Sequence, residues 1–226
     1  MLNRKYGVVY TPDALADFVA DLLYRYTDTV DRPIILDPAS GECSLLSAAK
    51  KRFGENAICF GIDVDSEAVN NTKAVFSVIH NDAIMPVNVK RKTADYWSAK
   101  LPPVNAIIAN PPWSTEKIYN RDALINAGFT LVNGQYDSYV LFMELAYNIL
   151  SPGGTMAFII PDSLFDAQNE SLRRFLCTKT TICVIARLGE KIFDEVNRAA
   201  TVIVCKKSDP ESEIGRASCR ERVYRL

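Results

Sequence analysis

Seven short, almost unbroken apolar runs rich in Val and Ile set the tightest limit on how this chain folds. They lie at residues 33–36, 57–62, 75–80, 104–109, 155–160, 182–188 and 201–205. Runs this short and this continuous are what strands covered on both faces require. Helical spacing appears between most of them. Leu15, Phe18, Val19, Leu22, Leu23 and Tyr26 fall on one stripe of a helix. Thr11 is the expected N-cap of that helix, with Pro12 at its first position and Asp13 near the positive end of its dipole. Asp137 or Ser138 is expected to start a second helix through Val140, Leu141, Met143, Glu144, Leu145, Tyr147 and Leu150, and Ser151-Pro152-Gly153-Gly154 to end it. Shorter helices are expected over residues 45–52 and 67–74. Strands alternating with helices read as an α/β fold, a doubly wound, Rossmann-like and mostly parallel sheet.

Two segments break the alternation. Residues 88–103 carry Lys90-Arg91-Lys92 and Pro102-Pro103 and read as a polar connection. Residues 114–135 are long for a loop in such a fold, and long loops at the carboxyl ends of strands are usually functional. The last stretch, 208–226, has four arginines and no apolar period. It reads as a basic tail or, since 214–223 resembles vector read-through, as a segment outside the fold. The organisation expected is one domain over residues 1–207, with the first helix inside 1–30.

Composition removes several function classes. At 226 residues, 48% apolar and 23% charged, the chain has globular values, and its formal net charge of -1 argues against a dedicated nucleic-acid-coating protein. A single histidine, His80, and six cysteines without ligand spacing give no metal site, and the expectation is none. No run approaches the roughly 18–20 apolar residues of a membrane span. The N-terminus lacks a signal-peptide pattern. The reading is a cytoplasmic protein with no membrane partner.

Four strand ends carry the candidate chemistry. Asp37-Pro38-Ala39-Ser40-Gly41 follows the first strand, a tight turn of small residues that lets a ligand approach the backbone. Gly61-Ile62-Asp63-Val64-Asp65 ends the second strand, where an acid can take both hydroxyls of a ribose. Asn81-Asp82-Ala83 follows the third, where a carboxylate can accept from an adenine amine. Each also has a plain structural reading: a strand–helix turn, a helix cap by Asp65 or Ser66, an Asx-turn. After the fourth strand stands Asn110-Pro111-Pro112-Trp113. Two prolines fix the backbone and remove two donors. The Asn110 side-chain oxygen and the Pro111 carbonyl then make a pair of acceptors suited to both hydrogens of an NH2 group, and Trp113 offers a flat face to a ring.

In this order the motifs resemble those of the adenine-N6 DNA methyltransferases whose cofactor motifs precede the catalytic one. They are similar to type I modification subunits and combined restriction–modification enzymes. Gly7-Val8-Val9-Tyr10-Thr11-Pro12 resembles the family's N-terminal cofactor motif, Asp37–Gly41 its DPAxG loop, Asp63 its ribose acid, Asp82 its adenine-edge acid, and Asn110–Trp113 its [ND]PP[YFW] motif. The resemblance implies a seven-stranded sheet with the last strand antiparallel. It implies S-adenosylmethionine held by Tyr10, Thr11, Pro12, Asp37, Pro38, Ala39, Gly41, Asp63, Val64, Asp82, Ala83 and Asn110. Catalysis is implied at Asn110, Pro111, Pro112 and Trp113, with the target adenine flipped out of double-stranded DNA and stacked on Trp113; Phe193 is the candidate for its opposite face, the alternative being core or rim packing. The implied setting is restriction–modification or a related defence system, with specificity or restriction subunits as further partners. The chain departs from the family in Glu42 and Cys43, where smaller residues are usual, and in having no target-recognition domain after the last strand. Rival readings are a methyltransferase of protein glutamine or RNA guanine, and an inactive cofactor-binding fragment.

Overall fold

The structure, a computed structural model, describes residues 11–113, 119–132, 136–189, 192, 199–207 and 223–225. All seven expected strands form: β1 Ile34–Asp37, β2 Ile58–Asp63, β3 Ser77–His80, β4 Val104–Ala109, β5 Leu150–Pro161, β6 Thr180–Arg187 and β7 Ala200–Lys207. Strand β7 runs antiparallel to β5 and β6, while β3, β2, β1, β4 and β5 are mutually parallel. The sheet order is β3-β2-β1-β4-β5-β7-β6-β8, in which β8 (Val223–Arg225) adds three residues parallel to β6. That strand comes from the segment expected to lie outside the fold. The outer edge of β6 presents backbone donors and acceptors to any extended stretch, so pairing there asks little of the sequence.

Side chains alternate across the strands and split the core in two. Leu36, Ile107, Ala109, Phe158 and Ile203 face one layer. It is closed by α4 (Thr93–Lys100), α5 (Arg121–Asn126), α6 (Ser138–Ile149) and α7 (Glu170–Lys179). Ile35, Ala106, Ile108, Ile159 and Val202 face the other, covered by α1 (Asp13–Tyr26) and α2 (Ser44–Phe53). Helix α3 (Ser66–Thr72) flanks β2 and β3. Helix α6 buries ten of its residues, Glu144 among them. That carboxylate accepts from Thr130 N, Thr130 Oγ1 and Leu131 N at 2.6–3.0 Å, tying the segment before α6 to the helix.

Several expectations are corrected. Residues 88–103 contain α4, which shows no stripe in the sequence because only Thr93 and Trp97 are buried. Trp97 is held by Nε1 donating to the Ala83 carbonyl (2.8 Å). The long segment after Trp113 contains α5, capped by Asn120, whose side chain accepts from Asp122 N and Ala123 N. Ser151–Gly154 does not separate helix from strand. Strand β5 starts at Leu150, and the four residues form an irregularity in its pairing with β4. Gly153 has φ +75°, and a Cβ on Gly154 would meet Leu150 Cδ2 at 2.5 Å. Finally, α1 begins at Asp13 with Pro12 in the capping position and no side-chain cap. The Pro12 carbonyl takes the amides of Leu15 and Ala16, so Thr11 is left for another partner.

Candidate active site

The carboxyl ends of β2, β1 and β4 lie side by side where the strand order turns back on itself, the edge at which open α/β sheets bind ligands. The turn after β1 is laced to the end of β2. Ser40 N donates to the Ile62 carbonyl (3.0 Å) and Gly41 N to Asp63 Oδ2 (2.7 Å), while Asp63 Oδ1 accepts from Asp65 N (2.8 Å). Both Asp63 oxygens therefore keep one lone pair. Asp65 Oδ1 accepts from Glu67 N and caps α3, so of the two candidate caps Asp65 is the one used. Gly61 is required by proximity: a Cβ there would stand 2.7 Å from Ser40 Oγ and 2.9 Å from Ser40 Cβ. Gly41 sits at φ +46° with open space where its Cβ would be. Cys43 takes φ +62°, a conformation that disfavours residues with a Cβ, and is buried at the start of α2. Val64, next to Asp63, leaves an apolar side chain 44% exposed.

Asp37 lies under this turn, fully buried, its Oδ1 accepting from Ala39 N (2.9 Å). Burial pushes its carboxyl up to about 8 and the Asp63 carboxylate adds to the rise, with the Ala39 amide opposing them. At neutral pH the group is mostly the uncharged acid. Pro38 and Ala39 line the same turn, buried and half-buried respectively.

Asp82 makes the expected Asx-turn, its Oδ1 accepting from Ile84 N and Met85 N. Its other oxygen, Oδ2, accepts from Tyr119 Oη–H at 2.8 Å and keeps a lone pair for one more donor. Ala83 is buried and serves as the carbonyl anchor of Trp97.

Asn110 emerges from β4 into this cluster. Its Nδ2 donates to Thr11 Oγ1 at 3.0 Å, and its Oδ1 is buried with no hydrogen-bond partner among the described residues. A buried amide oxygen without a donor is destabilising by about 1–3 kcal/mol, and such atoms are rare in native structures. The Pro112 carbonyl is taken by Ser138 Oγ. Trp113 corrects the expectation of an open stacking face. It is 8% exposed, its Nε1 donates to the Ile159 carbonyl (3.3 Å), and its ring is part of the core beneath α1 and α2. A cavity of about 300 Å³ opens between Asp137, Pro161, Ser163, Asp166 and Ala199, one residue from the serine that holds Pro112. Tyr10 and Phe193 lie outside the described residues.

Tyr119, Ser138 and the Thr11–Asn110 bond were not legible in the sequence. Each joins residues 26 to 99 positions apart, and no local spacing encodes such a pair. The one sequence signal was that Thr11 and Asn110 both occur in motifs already singled out.

The model of the N-6 DNA Methylase family matches residues 2–224. Among curated proteins, the chain is 28% identical over 216 residues to the type II methyltransferase M.BanIII of Aneurinibacillus aneurinilyticus, covering 84% of this chain and 37% of that one. It is 27% identical over 193 residues to an uncharacterized protein, YtxK, of Bacillus subtilis, covering 80% of this chain and 54% of the other. The chain thus spans about half or less of these relatives. Among solved structures, the methyltransferase subunit of a type I restriction–modification system from Streptococcus thermophilus superposes with a TM-score of 0.72 at 18% identity, over 90% of this chain and 46% of that one.

Proposed function

The chain belongs to the N-6 DNA methylase family, and from that membership we propose that it carries the catalytic centre of an S-adenosylmethionine-dependent DNA methyltransferase that modifies N6 of adenine. The observation that carries this reading is the buried, unpartnered Asn110 Oδ1 at the end of β4, followed by the two prolines.

The donor set at the neighbouring strand ends fits the cofactor. Asp63 has the spare lone pairs that two ribose hydroxyls need. Asp82 Oδ2 can take one more N–H, as an adenine amine offers, and exposed Val64 can cover the apolar face of a purine. Gly41 leaves open space against the turn after β1. When bound, the cofactor supplies an electrophilic methyl group. The chain's own residues hold the acceptor. An aromatic amine is a weak nucleophile because its lone pair is shared with the ring. Asn110 Oδ1 and the Pro111 carbonyl accept its two N–H groups and favour a pyramidal nitrogen as positive charge develops. This is preorganised electrostatic stabilisation, with proximity supplying much of the remainder. The amine is unreachable inside a duplex, so the adenine is flipped out at a cost of a few kcal/mol. Its proposed entry is from the side of the cavity beside Asp137 and Ser163, which adjoins the serine that holds Pro112. Trp113, buried in the core beneath α1 and α2, supports the motif from behind, and Phe193 is the proposed stacking face. Double-stranded DNA is the substrate, and restriction–modification or a related defence system, with specificity or restriction subunits, is the setting.

Asn110→Ala tests the reading. With tritiated cofactor and unmethylated genomic DNA, transfer should fall below detection while calorimetry finds cofactor affinity within about twofold of wild type. Asp63→Ala should lose cofactor affinity first. Normal transfer by a folded Asn110→Ala protein, or label appearing in RNA or protein acceptors instead of DNA, refutes it.

A further inference from the structure

We infer that Thr11 is a positioning residue for Asn110, anchoring its side-chain amide beside the acceptor site; this rests on the reading of Asn110 above. An asparagine amide rotates about a broad, two-fold torsion, so its oxygen and nitrogen can exchange places at little intrinsic cost. Only one orientation serves: Oδ1 toward an incoming NH2 group accepts, whereas Nδ2 in that place would set donor against donor. The hydroxyl of Thr11 accepts from Nδ2 at 3.0 Å and so holds the amide plane, while Oδ1 is buried with no hydrogen-bond partner among the described residues.

Thr11 is itself held in place. It is 6% exposed, and the next residue has its φ set at −59° by the proline ring and its carbonyl committed to the amides of Leu15 and Ala16. Helix α1 is packed against the sheet through Leu15, Val19 and Leu23. The hydroxyl is therefore presented by a rigid element, although it comes from 99 positions away in the chain. A side chain expected from the sequence to cap a helix or touch the cofactor instead anchors the amide that binds the substrate amine.

Thr11→Val keeps the shape and removes the hydroxyl, and Thr11→Ser keeps the hydroxyl. With tritiated cofactor and unmethylated genomic DNA, Thr11→Val should slow transfer at saturating cofactor roughly tenfold, the ratio that one hydrogen bond of about 1.4 kcal/mol provides. Its dissociation constant for S-adenosylmethionine should stay within twofold, and Thr11→Ser should recover most of the rate. A readout without turnover is hydrogen exchange at the Asn110 side-chain amide in the protein alone, its signal identified by its loss in Asn110→Ala. The amide should be protected in wild type and Thr11→Ser and exposed in Thr11→Val. Equal exchange in wild type and Thr11→Val overturns the inference, as does weaker cofactor binding with an unchanged saturating rate, which makes Thr11 a cofactor contact. If Asn110→Ala abolishes transfer while Thr11→Val is silent, the assignment of Asn110 stands and only the role of Thr11 falls. If Asn110→Ala transfers normally, the function itself falls.

Discussion

Adding one methyl group at Gly61 should damage the turn after β1 and leave the rest of the sheet intact. A Cβ at this position meets Ser40 Oγ at 2.7 Å, Ser40 Cβ at 2.9 Å and Val78 Cγ2 at 3.2 Å. The first two distances are closer than real Cβ contacts come, and both belong to the residue whose amide is bonded to the Ile62 carbonyl. Ser40 cannot swing away without stretching that bond and the Gly41–Asp63 bond beside it. Overpacking of this kind destabilises by about 1–3 kcal/mol. For a domain of this length that corresponds to a fall in Tm of roughly 2–12 °C. If half the strain is relieved by displacing the turn, cofactor affinity should drop about two- to tenfold, since tenfold corresponds to about 1.4 kcal/mol. Ser40→Gly removes two of the three close contacts. It should therefore be destabilising alone, by about 1 kcal/mol of backbone entropy, yet nearly neutral or stabilising in the Gly61→Ala background. Thermal unfolding of the four proteins of this cycle, with cofactor calorimetry on each, decides the matter. A Gly61→Ala protein of wild-type Tm and affinity, or a coupling energy of zero between the two sites, would refute the claim that these residues hold the turn by contact.

Two further outcomes follow from buried acids. Asp37 has a carboxyl pushed above its unfolded value of 3.8, to about 8. Its contribution to stability is thus full below the unfolded value and is lost as pH rises through about 8. Urea unfolding should show stability declining over that window by several kcal/mol, because each pH unit between the unfolded and folded values costs about 1.4 kcal/mol. Asp37→Asn should flatten the decline, and an identical pH profile in the variant would remove Asp37 as its source. Glu144→Ala leaves the Thr130 and Leu131 donors without their acceptor beside α6, and should destabilise by about 1–3 kcal/mol. Glu144→Gln, which keeps an acceptor oxygen, should be milder, and equal losses in the two variants would count against a role for the bonds.

The sequence showed the seven central strands because burial on both faces demands unbroken apolar runs, and that demand survives any detail of packing. It failed where a short helix buries little. Helix α4 hides only Thr93 and Trp97, and α5 only Leu124, so neither writes a period that can be read. The capping of α1 was misplaced by one residue, since Pro12 offers a carbonyl that serves Leu15 and Ala16 without help from Thr11. At the site, the turns after β1, β2 and β3 were legible because their geometry is local: Asp37 to Ala39, Asp63 to Asp65 and Asp82 to Ile84 are bonds across two residues. The bonds that join those turns to one another depend on how strands are ordered in the sheet. Trp113 was misjudged for the same reason. Its ring follows a motif at the sheet's edge, but the neighbouring strand end at Ile159 draws its N–H inward.

Helix α1 also bears on the order in which this protein assembles. It precedes the whole sheet in the chain, and the partners that hold it are made later. The carbonyl of Tyr26 waits for Thr155 Oγ1, Asp28 for the ammonium of Lys206, and Thr11 for Asn110. Closing loops of this span is slow compared with helix formation, and domains emerge over tens of seconds at the pace of synthesis. For that interval the apolar stripe through Leu15, Val19, Leu22 and Leu23 has no sheet to cover it. Helix α1 is therefore an element that a growing chain must shield until the central strands close, and only then does Thr11 meet the Asn110 amide.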